Sequence, residues 1–380
     1  MVTGRKFWLA RIKEGWKKRP VLLLAGVRRV GKTLLCKSIS GAMYYDCELP
    51  RTRRMMDDPQ EFLDNHKNKI VVLDEIHRLH NPSELLKIAA DHYRNTRIIA
   101  TGSSVIDGIS KYRDTLTGRK LTIRMTPINY FDMQDFGNID IKHRMLRGGM
   151  PEFFLSKSVD ESLYQEWVDG YWSKDILELF HLERKHSFQS FVELIMIQSG
   201  GIFNASGIAS QCSISHTTAL NYLKVLEATY VATVIRPYSA YRKTEIVSAP
   251  KVYGFDTGFV CYHKGINDLR QDDYGFLWEH IVLNELISRF SDKKINYWRD
   301  KQGHEIDFVI KKSDTELITL ECKWKARNFD PANLIIFRKK YPTGKNYVIC
   351  SDADKTFTRN IKGLNICFTC INSAAFSKIL

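Results

Sequence analysis

The residues of this 380-residue chain best suited to chemistry lie in three places. The first is Gly26-Val-Arg-Arg-Val-Gly31-Lys32-Thr33, which has the spacing G-x-x-x-x-G-K-[ST]. It follows the apolar run Val21–Ala25 and precedes the helix-compatible stretch from Leu34 to Ile39. Such a loop curls at its glycines, so that the N–H groups of Gly26, Val27, Arg28, Arg29, Val30, Gly31 and on into Leu34 can cradle a chain of phosphates. Lys32 reaches the β- and γ-phosphates, and Thr33 offers an oxygen to Mg2+. The second place is Ile70-Val-Val-Leu-Asp74-Glu75, an apolar strand ending in two acids. Asp74 suits the Mg2+ shell, and Glu75 suits the orientation or deprotonation of an attacking water. The strand Arg97–Ala100 then ends in hydroxyls from Thr101 to Ser104. Ser103 contacts the nucleotide, or these residues cap a helix; both readings stand.

The third place is carboxy-terminal. Glu279 lies on an amphipathic helix, Glu305 and Asp307 lie two apart on one strand, and Glu321 and Lys323 lie two apart on the next. Residues two apart on a strand share a face, so a short hairpin brings Asp307 beside Glu321. Carboxylates that bind Mg2+ and a lysine that positions a water make a phosphodiester-cleaving site. A non-cleaving fold or a plain polar sheet face has the same pattern.

The elements that must position these groups follow from pattern and charge. The composition is 44% hydrophobic and 26% charged, which excludes a disordered, collagen-like or coiled-coil chain. Residues 21–125 alternate short apolar runs, at 21–25, 43–45, 70–73, 97–100 and 121–123, with helix-length segments. That is the signature of a parallel sheet covered on both faces. Residues 160–198 read as helices. Residues 204–238 read as helix, turn, helix and β-wing, with Leu220, Leu223 and Leu226 striping the second helix, an arrangement that resembles a winged helix. The would-be reading helix shows Ser215, His216, Thr217, Asn221 and Lys224, with one firm positive charge. Packing is favoured over DNA contact.

The net charge is +14, unevenly spread: residues 1–126 carry +12, 127–200 carry −5 and 201–380 carry +7. Basic surfaces suit nucleic acid or another polyanion, while a protein partner and a second copy of the chain remain open. No apolar run is long enough to cross a bilayer, and the amino terminus lacks a signal-peptide core, so a cytoplasmic protein with no membrane partner is expected. Cys367 and Cys370 form a C-x-x-C without a second ligand pair, and the eight cysteines read as reduced thiols. Phe7, Trp8, Ile12 and Trp16 fit packing on the core. The division expected is 1–126, 127–200, 201–262 and 263–380.

Together the loop, the Asp-Glu strand end and the hydroxyl strand end resemble the AAA+-like P-loop ATPases over residues 1–200. The likeness is closest to a prokaryotic family of predicted ATPases that continue into a carboxy-terminal domain of unknown function. Thr101–Ser104, Gly118-Arg119, Pro127, Gly148–Pro151 and Lys251–Gly258 carry that likeness. It implies an α/β fold with a P-loop NTPase parallel sheet and a helical lid, ATP and Mg2+ as ligands, and Arg119 as a charge-neutralising arginine in cis or from a neighbouring subunit, with Arg113 second. The order helix Glu279, strand Asp307, strand Glu321-x-Lys323 resembles the PD-(D/E)xK nuclease fold and implies a nuclease-like carboxy-terminal domain. The readings are an ATP-hydrolysing switch, an ATP-regulated nuclease, or a non-hydrolysing nucleic-acid-binding adaptor.

Overall fold

Each of the five amino-terminal apolar runs is a strand. In the computed structural model these are β1 (Val21–Ala25), β2 (Ala42–Asp46), β3 (Ile70–Asp74), β4 (Arg97–Thr101) and β5 (Lys120–Arg124). The structure describes every residue except 1–3, 103–115, 159, 178–179, 181, 183, 241–248, 291–293, 314–315 and 380. Ser103, Ser104 and Arg113 therefore lie outside the described residues.

All five strands run parallel in the order β2-β3-β4-β1-β5. Every residue of β1 is buried, as expected for a strand covered on both faces. Trp8, Ile12 and Trp16 of the helix Lys6–Lys18 are buried in this core, and Phe7 stacks on Phe131 with centroids 5.1 Å apart. β3, which carries Asp74, is not the neighbour of β1. The chain returns to the middle of the sheet with β4, which lies between them. Such a return opens a crevice at the carboxyl edge, where successive loops leave in different directions.

The chain forms two compact units. The first comprises residues 1–139, 150–183 and 224–231, and the second 140–149, 184–223 and 232–380. In the first, the helix Glu161–Tyr171 runs into a π-helical turn, Trp172–Leu177. In the second, the helix Lys185–Ile197 completes the helical stretch read from the sequence. The helix–turn–helix–strand reading yields helices Ala205–Gln211 and His216–Ala228 and a three-stranded antiparallel sheet, order β6-β8-β7. Its strands are β6 (Gly201–Ile202), β7 (Ala232–Ile235) and β8 (Lys251–Gly254). Leu220 is not part of the buried stripe: it is 38% exposed, while Ala219, Tyr222 and Leu223 are buried. At 100° per residue, position 220 lies off the face that 219, 222 and 223 share. Ser215, His216, Thr217, Asn221 and Lys224 are exposed.

The larger sheet of the second unit is mixed, in the order β13-β14-β12-β11-β10-β9. Its strands are β9 (Ile295–Arg299), β10 (Glu305–Lys311), β11 (Leu317–Lys323), β12 (Asn346–Cys350), β13 (Phe357–Ile361) and β14 (Leu364–Thr369). β10 and β11 pair antiparallel with Phe308 opposite Leu320. One step further along that register, Asp307 faces Glu321. The helix Asp273–Arg289 packs on β11 and buries Leu277, Trp278, Ile281 and Leu286.

Candidate functional site

β1 delivers the chain to Gly26 at the carboxyl edge of the first sheet. The loop that follows needs backbone that ordinary residues avoid: φ is +148° at Gly26, +61° at Arg29 and +103° at Gly31. At Gly26 space forbids a side chain as well, because a Cβ there would stand 2.4 Å from the Met125 carbonyl oxygen. Val27 and Val30 point inward and are buried, which fixes the loop from below. The two arginines are held outward by acids of the same unit. Arg28 lies 3.5 Å from Asp175, and Arg29 pairs with Glu166 and lies 3.6 Å from Glu152. Leu34, one turn into the next helix, is 55% exposed.

The Lys32 ammonium lies inside the loop and donates to the carbonyls of Gly26 (2.8 Å) and Val27 (3.2 Å). Burial lowers its pKa, and the carboxylates of Glu75, Asp175 and Asp74 oppose that shift. Asp74, at the end of β3, is buried and ringed by hydroxyls. Thr33 Oγ1 donates to its Oδ2 at 2.9 Å, Tyr44 to the same oxygen at 2.5 Å, and Thr101 to Oδ1. Three neutral donors orient this carboxylate without cancelling its charge. The hard oxygens of Thr33 and Asp74, side by side at the loop, fit Mg2+.

Glu75 has left-handed backbone (φ +52°), an uncommon state for a residue with a side chain. Its carboxylate lies 3.2 Å from His77 Nδ1. Burial pushes the Glu75 carboxyl up and the Lys32 ammonium pulls it back. These groups line a cleft of about 700 Å³ that Lys37, Arg78, Pro151, Lys174 and Asp175 also border.

Gly26 to Leu34, Asp74 and Glu75 thus come together. Arg119 does not join them. It sits just before β5, at the amino end of a strand whose carboxyl end is level with the loop, and bonds Asp91 at 2.8 Å. Five residues of strand, at about 3.3 Å each, put it on the wrong edge of the sheet, so it does not reach this cleft in cis. Sequence reasoning missed Tyr44, His77, Lys174 and Asp175. For Tyr44 a signal existed: a phenol two residues before a strand-end acid, on a strand that pairs in register with β3.

In the second unit the four expected groups also converge, with two more that the sequence reading did not use. Lys251 of β8 bonds Glu279 at 3.3 Å and pairs with Glu305. Tyr253, on the same face two residues on, donates to Glu279 at 2.5 Å. Glu321 lies 3.2 Å from Lys323, and Asp307 accepts from the Cys322 N–H at 2.7 Å. Burial, reinforced by Asp307, pushes Glu279 up to about 7 and Glu321 up to about 8. Among the described residues no group of three or more His, Cys, Asp or Glu side chains is placed to hold a metal ion. Two ammonium groups already stand among these carboxylates, so as arranged the set does not fit a divalent cation. The Cys367–Cys370 pair forms no disulfide, and Cys370 is buried.

A parallel sheet with a phosphate loop after its first strand and an acid at the end of another defines the P-loop NTPase fold. Residues 18–133 match the family described as AAA domain. Residues 138–270 match a domain of unknown function (DUF8612), and 274–369 match another (DUF4143). An uncharacterized protein of Mycobacterium tuberculosis is 26% identical over 325 residues, which cover 82% of this chain and 72% of that protein. An uncharacterized protein of Haemophilus influenzae is 22% identical over 369 residues, 86% of this chain and 90% of its own. Among solved structures, a Walker-type ATPase of Pyrococcus abyssi is 17% identical with a TM-score of 0.42, covering 67% of this chain and 94% of that one. No helix among the described residues is long and apolar enough to cross a membrane.

Proposed function

We propose that this chain binds ATP and hydrolyses it with Mg2+ to drive a conformational switch that acts on nucleic acid or a protein partner. The observation that carries this reading is the Asp74 carboxylate, oriented by the hydroxyls of Thr33, Thr101 and Tyr44 beside an open phosphate loop. The N–H groups of Gly26 to Leu34 hold the triphosphate. Lys32 exchanges two loop carbonyls for phosphate oxygens. Thr33 and Asp74 hold Mg2+, which supplies charge neutralisation at the phosphates. Glu75 orients the attacking water or takes its proton. Arg119 contributes only from a neighbouring copy of the chain. The units expected at 1–126, 127–200, 201–262 and 263–380 are part of the same reading, as is a cytoplasmic setting.

Lys32→Ala tests it: ATP binding and turnover are both lost, and normal turnover in that variant refutes the proposal. Tight ATP binding with negligible wild-type turnover, together with salt-sensitive DNA binding, would make the chain an adaptor instead. The nuclease alternative has one observation in its favour, the convergence of Glu279, Asp307, Glu321 and Lys323. It predicts Mg2+- or Mn2+-dependent nicking of DNA or RNA that Asp307→Ala and Lys323→Ala abolish. The ammonium groups among those acids weigh against it.

A further inference from the structure

Arg5 precedes every motif in the chain, yet its guanidinium is 5% exposed and bonded on several sides. NH1 donates to the Val30 carbonyl in the phosphate loop at 2.8 Å. NH2 donates to the Thr126 carbonyl at 3.2 Å and to Asp132 Oδ2 at 2.5 Å. Asp132 is fully buried and is fixed in turn. Its Oδ2 also accepts from Trp8 Nε1 (3.1 Å) and from the Asn129 N–H (3.1 Å), in a capping box that starts the helix Tyr130–Asp135. Arg5 therefore joins four parts of one unit: the first helix, the phosphate loop, the chain just beyond β5, and the helix after it.

The contact with the loop has a directional consequence. A trans peptide is planar, so its C=O and the following N–H point in opposite directions. With the Val30 carbonyl drawn to Arg5, the Gly31 N–H is turned away from Arg5, on a residue that lines the cleft. Gly31 is also where the loop needs φ +103°, a conformation that two neighbouring peptides must agree on. Because the Arg5 charge is met by Asp132, its effect on the cleft comes through the geometry of that peptide and not through a free positive charge.

We propose that Arg5 is a positioning residue for nucleotide binding, which presets the Val30–Gly31 peptide so that its N–H is ready for a phosphate oxygen. This rests on the ATP-binding reading above and adds a residue outside the loop motif to it. Lysine cannot replace it, since a single ammonium cannot span a carbonyl, a second carbonyl and a carboxylate with the fork of a guanidinium.

The test uses the full chain and two readouts. Calorimetric titration with ATP gives an affinity about tenfold weaker in Arg5→Lys, the loss expected of one charge-assisted hydrogen bond, while AMP affinity changes much less. Amide hydrogen exchange across residues 27–33 quickens in the same variant without nucleotide. Asp135→Ala is the control. It cuts another tether of the first helix, from the Lys6 N–H at 2.7 Å, and does not touch the loop. It leaves both readouts at wild-type values. Asp132→Asn, which loosens Arg5 without removing it, moves both in the direction of Arg5→Lys and keeps the test decisive if Arg5→Lys does not fold. Equal behaviour of Arg5→Lys and Asp135→Ala overturns the proposal. If wild-type protein binds no ATP while loop exchange still quickens in Arg5→Lys, the ATP reading falls and the positioning role stands.

Discussion

The phosphate cleft and the carboxy-terminal carboxylate cluster use the same side chains to opposite ends. Each sets lysine beside a strand-borne acid. In the cleft, the ammonium of Lys32 rests on backbone carbonyls, and Asp74 is steadied by three hydroxyls. In the cluster, Lys251 and Lys323 sit directly on the acids. A hydroxyl orients a carboxylate and leaves its charge in place, whereas an ammonium neutralises it. The first arrangement has a charge to offer a cation; the second has already used most of its own. Residue types and spacing do not distinguish the two, because the difference lies in which donor fills which acceptor.

The sharpest way to break this comparison is Lys251→Met. Losing the ammonium leaves the half-buried Glu279 without its cation and Glu305 with Arg299 alone, at 3.2 Å, and the cost should be about 3 kcal/mol of stability, read by urea denaturation. A neutral outcome would mean the cluster is not held by its lysines. Asp74→Asn should do the reverse, with unfolding free energy changed by about 1 kcal/mol and Mg2+-dependent turnover lowered about a hundredfold, on the order of 3 kcal/mol. A variant that loses stability and keeps turnover would put Asp74 among the structural acids.

Tyr44→Phe probes the hydroxyl ring more gently. The phenol and Mg2+ compete for Asp74 Oδ2, so the Mg2+ concentration for half-maximal ATPase should fall about threefold, in line with one modest hydrogen bond. A rise would show that the phenol positions the ligand. The smallest effect is on pH. Glu321 is raised to about 8 in the folded chain from an ordinary value near 4.5, so the folded state holds its proton longer than the unfolded one. That contribution is complete below about pH 4.5 and is lost as pH rises through 8. Glu321→Gln keeps the neutral form at all pH values, and its melting temperature relative to wild type should therefore climb by a few degrees between pH 6 and 9. A constant difference would put the Glu321 titration outside that range.

Much of the first unit is legible in sequence because the information is local. An apolar run of four or five residues bounded by polar segments is enough to mark β1 or β3, and Gly26 and Gly31 announce the loop's bends, though the positive φ of Arg29 is not announced. Asp307 beside Glu321 was readable too, since a hairpin pairs what lies near in sequence. What escaped depends on distant pairs. Arg5 meets Val30 and Asp132 across 25 and 127 positions, and Lys251 meets Glu279 across 28. The cis role expected of Arg119 fails for a related reason: the motif fixes that it precedes a strand, but only the parallel pairing with β1 shows which end of the sheet that is.

The loop arginines have a mechanical consequence. Arg28 and Arg29 are tethered to Asp175, Glu152 and Glu166, all carried by the stretch from 150 to 175. A polyanion settling a few ångströms away bids for the same guanidinium groups and slackens those tethers, and its departure draws them tight again. The stretch from 150 to 175 is thereby coupled, through Arg28 and Arg29, to whatever charge the cleft holds.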